Sequence, residues 1–318
     1  MKDKKVFIAG HRGMVGSSVL DLLKNSGFTN IITRTRQELD LTDSSLVRKF
    51  FKEEGIDIVV LCAAKVGGIL ANNSFRADFL YDNIQIASNV IKSSSDFGVE
   101  KLINLGSSCI YPRDAEIPIK EEYLLTGELE YTNEPYAIAK IAALKMCESF
   151  YKQYGKNFYS IMPCNLYGPR DNFDLETSHV LPALINKVHC AMERDDQFLE
   201  VWGTGKPLRE FLYVDDLARA VLHCLESVDS IDIYSKGISH LNCGSNDEVS
   251  ISDLVKLIMD VVGYDGEIRN TYSKPDGTFR KKMDNTRISD TGYSPKVSLL
   301  DGVSRTYEWY LKNLNIDC

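Results

Sequence analysis

The sequence predicts an α/β protein built on a doubly wound parallel sheet, and three observations support this prediction. Short apolar runs typical of buried parallel strands occur at residues 6–9 and 56–64. Segments with helical periodicity separate such runs, as at 83–97. Turns rich in glycine or serine follow two such runs, at 10–16 after the run 6–9 and at 106–108 after the run 101–105. Ligands of α/β proteins bind beyond the carboxyl ends of strands, so these turns are candidate binding sites.

The expected elements alternate regularly as far as Pro169, and the pattern then loosens. The first part should form a dinucleotide-binding (Rossmann) domain, residues 1–168 with about 208–226. The rest, about 169–207 and 227–318, should form a smaller C-terminal α/β lobe that binds substrate. The expected strands are 6–9, 31–34, 56–64, 101–105, 158–162, 199–202 and 209–213, and the main helices are 83–97, 135–154, 180–192 and 299–314.

Composition excludes some classes of binding partner and indicates the cellular compartment. The 318 residues include 37 Lys and Arg against 45 Asp and Glu, a net charge of −8, which argues against a general nucleic-acid binder. No apolar run approaches 18 residues and no signal-like segment opens the chain, so we expect no membrane partner. The eight cysteines lack a Cys-x-x-Cys pair and should be reduced thiols of a cytoplasmic protein. The histidines show no ligand spacing, and no metal site is expected.

The first strand runs into Gly10-x-x-Gly13-x-x-Gly16, and a helical pattern follows. Glycines in this context allow a tight turn and the approach of a pyrophosphate to the helix N-terminus. The spacing differs from the common G-x-G-x-x-G fingerprint, and glycines also end strands for purely steric reasons. The strand–turn–helix context favours nucleotide binding.

Basic residues follow the second strand, where an NAD site would carry an acid for the ribose hydroxyls. The chain has Arg34 and Arg36 there, with Arg12 in the glycine turn as a neighbour. Guanidinium groups suit a 2′-phosphate, which predicts NADP(H) as the cofactor. The alternative is a pair of solvated arginines in a turn.

Tyr136 and Lys140 lie four residues apart in a helix that Pro135 can begin, and so share one face. An ammonium group beside a phenol should lower the tyrosine pKa and produce a proton donor for neutral pH. Alone, the pair could be a chance pattern on a solvated face. Ser107 follows the strand at 101–105 and would add a further polar group to the Tyr136–Lys140 pair at the expected ligand-binding edge of the sheet.

These motifs extend into longer strings that cover nearly the whole chain. Together they resemble the extended short-chain dehydrogenase/reductase family, and within it the epimerase-reductases that convert GDP-4-keto-6-deoxy-D-mannose to GDP-L-fucose with NADPH. The strings that carry the resemblance are 7–16, 63–69, 106–112, 133–140, 165–169, 178–180, 209–211 and 273–278.

The resemblance implies a division of roles in catalysis. Cys109 is expected as the base and His179 as the acid that invert carbons 3 and 5 of the sugar. Ser107 and Tyr136 would bind the carbonyl oxygen and stabilise the enolate. Tyr136 would also protonate the reduced oxygen at carbon 4, while Lys140 holds the nicotinamide ribose. Without the strings, Cys109 would more often be core packing and His179 a structural histidine.

The resemblance also implies a set of binding residues. Lys187, where the family commonly has arginine, would join Trp202, Arg209 and Asp276 in binding the GDP-sugar, although Trp202 could equally pack in a core. The expected cofactor residues are Gly10, His11, Arg12, Gly13, Met14, Val15, Gly16, Arg36, Asp40, Leu41, Leu105, Gly106, Ser107, Ser108, Lys140, Pro163, Cys164, Asn165, Leu166 and His179.

Two other functions stay open at this point. One is an epimerase-reductase or reductase for another GDP-4-keto-deoxysugar, such as a dideoxyhexose or a heptose. The other is a non-catalytic NADPH-binding sensor or scaffold, since a fold alone does not establish catalysis. By analogy with the family, helices 83–97 and 135–154 would pair with their copies in a homodimer.

Overall fold

The computed structural model describes residues 1–175, 177–271, 279–313 and 318. Strands and helices alternate through most of this part of the chain. The strands are β1 Val6–Ala9, β2 Ile31–Ile32, β3 Ile58–Leu61, β4 Lys101–Leu105, β5 Asn157–Pro163, β6 Asn165–Tyr167, β7 Phe198–Trp202, β8 Leu208–Tyr213, β9 Leu241–Cys243, β10 Glu248–Ser250, β11 Glu267–Thr271 and β12 Arg280–Lys281. The helices are α1 Met14–Asn25, α2 Ser44–Glu54, α3 Ile69–Ser74, α4 Arg76–Asp96, α5 Glu134–Tyr154, α6 Val180–Glu193, α7 Val214–Ser227, α8 Ser230–Tyr234, α9 Ile251–Val262, α10 Thr286–Ser289 and α11 Leu299–Asn313.

Six parallel strands form the main sheet, in the order β2-β1-β3-β4-β5-β9. The predicted doubly wound parallel sheet is therefore confirmed. Val6 of β1 is in register with Ile31 on one side and Ile58 on the other. The strand order reverses at this point, between β1 and β3. A crevice opens at the carboxyl ends of strands where the order reverses, so the glycine turn after β1 borders the expected binding site.

The main sheet is covered on both faces because alternate side chains of its strands point in opposite directions. Ile8 of β1 packs in a core with Val19 of α1 and Leu217 of α7. Phe7, the preceding residue, packs on the other face in a core with Val90 of α4. Every residue of β1 is buried, which explains the continuous apolar run in the sequence.

A smaller sheet lies beside the main one. β8 pairs with β6, β10 and β12, and a separate pair joins β7 to β11. These strands share a core with α6, α9 and α11, formed by residues such as Leu184, Leu254 and Tyr310. The chain crosses between the sheets, because β8 belongs to the smaller sheet and the later strand β9 to the larger. The division into two domains at the boundaries given above stays a prediction.

Two cysteines differ from the sequence expectation. Cys190 on α6 and Cys318 form a disulfide, with Cα atoms 5.1 Å apart. The expectation that all eight cysteines are reduced is wrong for this pair, which lies 128 residues apart in the sequence and shows no recognisable spacing. The other six are free thiols. Among the described residues, no helix is both long enough and apolar enough to cross a membrane.

Candidate active site

The glycine turn after β1 depends on two close backbone approaches. Gly10 has a φ of +89°, and a Cβ there would lie 2.7 Å from the backbone nitrogen of Ala63. A Cβ on Gly16 would lie 2.2 Å from the carbonyl oxygen of Gly10. Side chains at these two positions would force the turn away from β3 or from helix α1. The spacing of the glycines is therefore set by the fold itself.

Gly13 differs, since a Cβ there would be 3.6 Å from its nearest protein neighbour, at an ordinary contact distance. It is the N-cap of α1, and no side chain caps this helix end. The first turn also lacks an acidic residue. Unpaired N–H groups and the positive end of the helix dipole form a cradle that fits a pyrophosphate. His11 in the same turn has a buried Nδ1 atom without a hydrogen-bond partner.

The arginines around β2 have separate roles in the structure. Arg34 forms a 2.5 Å ion pair with Glu54 and lies over the ring of Phe50, so it is used in packing against α2. Arg36 has a side chain that is 76% exposed and lies 3.7 Å from Asp40. Arg12 is also exposed. Arg36 and Arg12 are therefore the guanidinium groups that remain accessible for a 2′-phosphate.

The remaining predicted cofactor residues follow the carboxyl ends of β2, β4 and β5. Asp40 accepts two hydrogen bonds from Thr42, which lower the pKa of its carboxyl and shape the turn that contains Leu41. The others lie at the same edge of the sheet as the glycine turn: Leu105 at the end of β4, Gly106 and Ser108 after it, Pro163 at the end of β5, Cys164 after it, and Asn165 and Leu166 in β6.

Four of the predicted catalytic residues come together beyond β4. The Nζ atom of Lys140 lies 5.7 Å from the ring centroid of Tyr136 on the same face of α5 and donates a 2.8 Å hydrogen bond to the carbonyl of Leu105. The Ser107 hydroxyl accepts a 3.4 Å hydrogen bond from the backbone N–H of Cys109, and it lowers the pKa of both the Tyr136 phenol and the Cys109 thiol. Helix α5 and the turn after β4 thus place these groups around one point.

The protonation of this cluster differs from the expectation in one respect. Burial lowers the pKa of Lys140 to about 8. Burial also raises the pKa of Tyr136 well above its usual range, and only the hydrogen bond with Ser107 opposes this effect. The expectation that Lys140 lowers the pKa of Tyr136 is therefore wrong for this structure, because burial removes solvent from the phenol and Lys140 is not among the groups that act on its pKa. Tyr136 is a neutral phenol and can donate a proton.

Cys109 is 7% exposed and lies in a short 3₁₀ turn, Ser108–Ile110. Burial raises the pKa of its thiol, while the cations of Lys281 and Lys140 and the Ser107 hydroxyl act in the opposite direction. Tyr111 follows this turn, and its hydroxyl donates a 2.5 Å hydrogen bond to the side-chain carbonyl of Asn242. This bond anchors the end of the turn.

His179 occupies the N-cap of α6 and is exposed, although nearby protein displaces enough water to lower the pKa of its imidazole. A loop after β3 ties its segment to the rest of the site. Gly68 of this loop donates a 2.8 Å backbone hydrogen bond to Thr177. The same loop packs on Phe79, whose ring lies edge-on to Tyr136 at 6.3 Å. These contacts connect the segment that contains His179 to the ring of Tyr136 through the loop after β3 and Phe79.

The predicted substrate residues lie in the smaller sheet and on α6. Lys187 donates a hydrogen bond to the carbonyl of Glu200, and its Nζ lies 5.5 Å from the ring of Trp202. Trp202 is 52% exposed, which speaks against its alternative role in a core. Arg209 lies on β8. Asp276 lies outside the described residues.

The family model for the NAD dependent epimerase/dehydratase family matches residues 6–244, from β1 through β9. This range contains the glycine turn, the Ser107–Cys109 turn, the Tyr136–Lys140 pair and His179. The chain belongs to this family.

Similarity within the NAD dependent epimerase/dehydratase family extends over nearly the full length. The chain is 52% identical to GDP-L-fucose synthase 1 of Arabidopsis thaliana, covering 98% of this chain and 95% of that protein. It is 49% identical to the GDP-L-fucose synthase of Escherichia coli (strain K12), covering 98% of each. The solved structure of a GDP-mannoheptose C4 reductase from Campylobacter jejuni with NADP bound is 39% identical, with a TM-score of 0.90 and coverage of 98% of this chain and 99% of that one.

One residue that this family fold brings to the cleft was not predicted. Lys281 of β12 is in register with Arg209 of β8, and its charge acts on Cys109. No motif identified it, because it is far from Cys109 in the chain and stands in a short polar stretch. The only sequence signal was its place three residues after the string at 273–278.

Proposed function

We propose that this chain is a GDP-L-fucose synthase that converts GDP-4-keto-6-deoxy-D-mannose to GDP-L-fucose with NADPH. The observation that carries the proposal is the grouping of Ser107, Cys109, Tyr136 and Lys140 around one point at the carboxyl edge of the main sheet. This grouping holds both a base for epimerisation and a proton donor for reduction. The names of the two relatives near 50% identity agree with it.

Epimerisation begins with removal of a proton next to the ketone of the sugar. The Cys109 thiolate takes the proton from carbon 3 or carbon 5, and the electron pair of that C–H bond moves to the carbonyl oxygen. Ser107 and Tyr136 donate hydrogen bonds to the enolate oxygen. His179 then returns a proton to the opposite face of the carbon.

Reduction at carbon 4 follows the two inversions. When bound, NADPH would supply a hydride to this carbon. Tyr136, neutral because burial raises its pKa, donates its phenolic proton to the oxygen that becomes a hydroxyl. Lys140, fixed by its hydrogen bond to Leu105, would hold the ribose of the cofactor beside it. The glycine turn would hold the pyrophosphate, and Arg12 and Arg36 the 2′-phosphate.

The nucleotide sugar would extend from this centre toward the smaller sheet. Arg209 offers a planar guanidinium to the diphosphate, and the exposed Trp202 ring offers a face for stacking. Lys187 adds a point charge beside that ring. We also assign Asp276 to this group from the sequence resemblance alone.

The proposal is tested by mixing purified protein with GDP-4-keto-6-deoxymannose and NADPH. We expect loss of nicotinamide absorbance and formation of GDP-L-fucose, identified by NMR. The second candidate is a C4 reductase of a GDP-heptose, which the C. jejuni structure favours. That enzyme would consume NADPH with the heptose in place of the hexose. Binding of NADPH without turnover of any GDP-keto-sugar would indicate a sensor or scaffold.

We further propose that the protein is a homodimer formed by α4 and α5. These helices lie side by side and expose large apolar side chains, Tyr81 at 64% and Ile138 at 42%. A pair of helices from each copy could bury this surface about a two-fold axis. Light scattering should give twice the 35.8 kDa mass of the chain. Ile138→Glu should halve that mass without unfolding the protein.

We also propose a cytoplasmic location, supported by the six free thiols. Most of these thiols are buried. Recovery of the protein with a cytoplasmic marker after cell fractionation would agree with this location. Recovery with an extracytoplasmic marker would contradict it.

A further inference from the structure

The loop between β3 and α3, residues 62–68, is held by two buried asparagines, one from α4 and one from α3. Asn83 of α4 is 4% exposed. Its side-chain oxygen accepts a 2.9 Å hydrogen bond from the backbone N–H of Lys65. Its amide nitrogen donates a 3.0 Å bond to the carbonyl of Lys65 and a 2.7 Å bond to that of Phe79. Both polar atoms of Asn83 are therefore paired, and they fasten the middle of the loop to α4.

The second asparagine, Asn72 of α3, is paired at one end of its amide. It is 6% exposed, and its amide nitrogen donates a 2.7 Å hydrogen bond to the carbonyl of Gly67 and a 3.0 Å bond to that of Gly68. Among the described residues, its buried Oδ1 atom has no hydrogen-bond partner. A buried acceptor without a partner destabilises a fold. The two bonds to the glycines are therefore what an asparagine provides at this position.

One peptide plane connects Asn72 to the segment of His179. The carbonyl of Gly67 and the N–H of Gly68 belong to the same trans peptide group, which is planar, so they point in opposite directions. The carbonyl accepts the bond from Asn72, and the N–H donates a 2.8 Å bond to the carbonyl of Thr177, two residues before His179. Glycine has the greatest backbone freedom, so this plane depends on its bonds for its orientation. The Asn72 amide thus holds the N–H of Gly68 toward Thr177.

We propose that Asn72 is a positioning residue that acts through the Gly67–Gly68 peptide to hold the segment that carries His179. The inference rests on the proposed function for the role of His179 as the proton donor of epimerisation. Without the Asn72 amide, the peptide plane is free to rotate, and the bond from Gly68 to Thr177 weakens. His179 then occupies its working position for less of the time, and proton transfer to the sugar slows.

The first part of the test needs no substrate and compares the wild type with two variants. Asn72→Ala removes both side-chain bonds. Asn72→Ser keeps one donor, because a serine hydroxyl can bond to the carbonyl four residues earlier, here that of Gly68. In Asn72→Ala, the backbone amide of Gly68 should exchange its hydrogen about ten-fold faster, measured by mass spectrometry with fragmentation to single residues. Asn72→Ser should lie between Asn72→Ala and the wild type.

The same samples report on His179 directly. In protein with ¹³C-labelled histidine, the Cε1–H signal of His179 is identified by its absence in His179→Asn. This signal should move in Asn72→Ala and move less in Asn72→Ser. A loss of stability spread over the whole protein would not single out this signal.

Asn157→Ala is the matched control. Asn157 also makes two side-chain hydrogen bonds, a 2.7 Å bond to Asp229 and a 2.7 Å bond from the backbone of Ser230. It stands at the first residue of β5, at the end of the strand away from the candidate site. This variant should keep the wild-type behaviour of the Gly68 amide and of the His179 signal.

The second part of the test uses the keto-sugar in heavy water without NADPH. In Asn72→Ala, the kcat for deuterium exchange into carbons 3 and 5 should fall about ten-fold, while KM stays near the wild-type value. Asn72→Ser should recover part of this loss, and Asn157→Ala should match the wild type. If circular dichroism shows that Asn72→Ala is unfolded, the milder Asn72→Ser carries the same comparison.

Two results would overturn the inference. One is a folded Asn72→Ala in which the Gly68 amide and the His179 signal both match the wild type. The other is a raised KM with an unchanged kcat, which would assign the Oδ1 atom of Asn72 to a contact with the sugar. Failure of the proposed function is recognised separately, because the wild type would then exchange no deuterium into the sugar while Gly68 and His179 still respond to the substitution.

Discussion

The backbone N–H of Gly68 donates a 2.8 Å hydrogen bond to the carbonyl of Thr177, two residues before His179. A Cβ on Gly68 would lie 2.7 Å from the carbonyl oxygen of Ser178 and 3.0 Å from that of Thr177. The loop after β3 and the start of α6 can approach this closely only because residue 68 is glycine. The position of the segment that carries His179 therefore depends on a residue of the loop after β3.

Gly68→Ala should displace His179 and slow epimerisation. Displacement of a proton donor by a fraction of an ångström can cost ten-fold or more, so we expect deuterium exchange at carbons 3 and 5 to fall by roughly that factor. NADPH binding, measured by fluorescence, should not change. Gly127→Ala is the control, because a Cβ there meets only Pro112 at 3.2 Å. Equal exchange in the two variants would argue against the role of Gly68.

Cys109→Ser should suppress exchange of deuterium from heavy water into carbons 3 and 5 in the absence of NADPH. A serine hydroxyl is a far weaker acid than a thiol and cannot supply the base at neutral pH. The exchange is followed by NMR of the sugar. Cys62→Ser is the matched control, since Cys62 also lies near Lys140 but is not linked to Ser107. Undiminished exchange in Cys109→Ser would remove Cys109 from the mechanism.

Tyr136→Phe should separate the two activities. The variant keeps the ring that packs on Phe79 but lacks the proton for carbon 4, so reduction should fall roughly a hundred- to ten-thousand-fold. Epimerisation, in which Ser107 also binds the enolate, should fall less. Single-turnover NADPH oxidation and deuterium exchange on the same preparation measure both. An equal loss of the two activities would show that this division of labour is wrong.

The rate of reduction should fall as pH rises through about 8. Burial lowers the pKa of Lys140 to about 8, so its ammonium is present below that pH and is lost above it. The quantity to measure is kcat/KM for NADPH between pH 6.5 and 9.5. In Lys140→Arg the guanidinium stays charged, and the decline at pH 8 should disappear. A decline that persists in this variant belongs to another group.

Arg36→Ala should weaken NADPH binding without affecting NADH. Loss of a charge-assisted hydrogen bond to the 2′-phosphate costs about 1.5–3 kcal/mol, a ten-fold or greater rise in the NADPH dissociation constant. Titration of nicotinamide fluorescence with each cofactor gives the ratio. Arg269→Ala is the control, because Arg269 is an exposed arginine beside its own carboxylate neighbour, Glu267. An equal effect on both cofactors would mean that Arg36 does not contact the 2′-phosphate.

The features that the sequence predicts best are those in which one local pattern follows from one physical requirement. The buried run at 6–9, the glycine turn after it and the helical spacing of Tyr136 and Lys140 each follow from backbone geometry within a few residues. Short strands were missed where polar residues predominate, as in β12. Such strands exist because of their neighbours, and β12 forms only beside β8.

The predicted role of Arg34 shows a second kind of feature that sequence spacing does not predict, the partners of a side chain in the folded protein. The sequence placed Arg34 and Arg36 together at the end of β2, but only the structure shows that Arg34 is committed to Glu54 and Phe50. The same holds for the pKa of Tyr136, because desolvation depends on what covers a side chain in three dimensions. Spacing along a chain gives no measure of burial.

The sequence by itself determined the parallel sheet, the glycine turn and the Tyr136–Lys140 pair, because each arises from residues close together in the chain. Only the tertiary structure placed Cys109 in the electrostatic field of Lys281 and Gly68 against the segment of His179, since these interactions join distant parts of the chain. The physical reason is that local geometry is fixed by neighbouring residues, whereas electrostatic environment and steric fit are fixed by whatever the fold packs alongside.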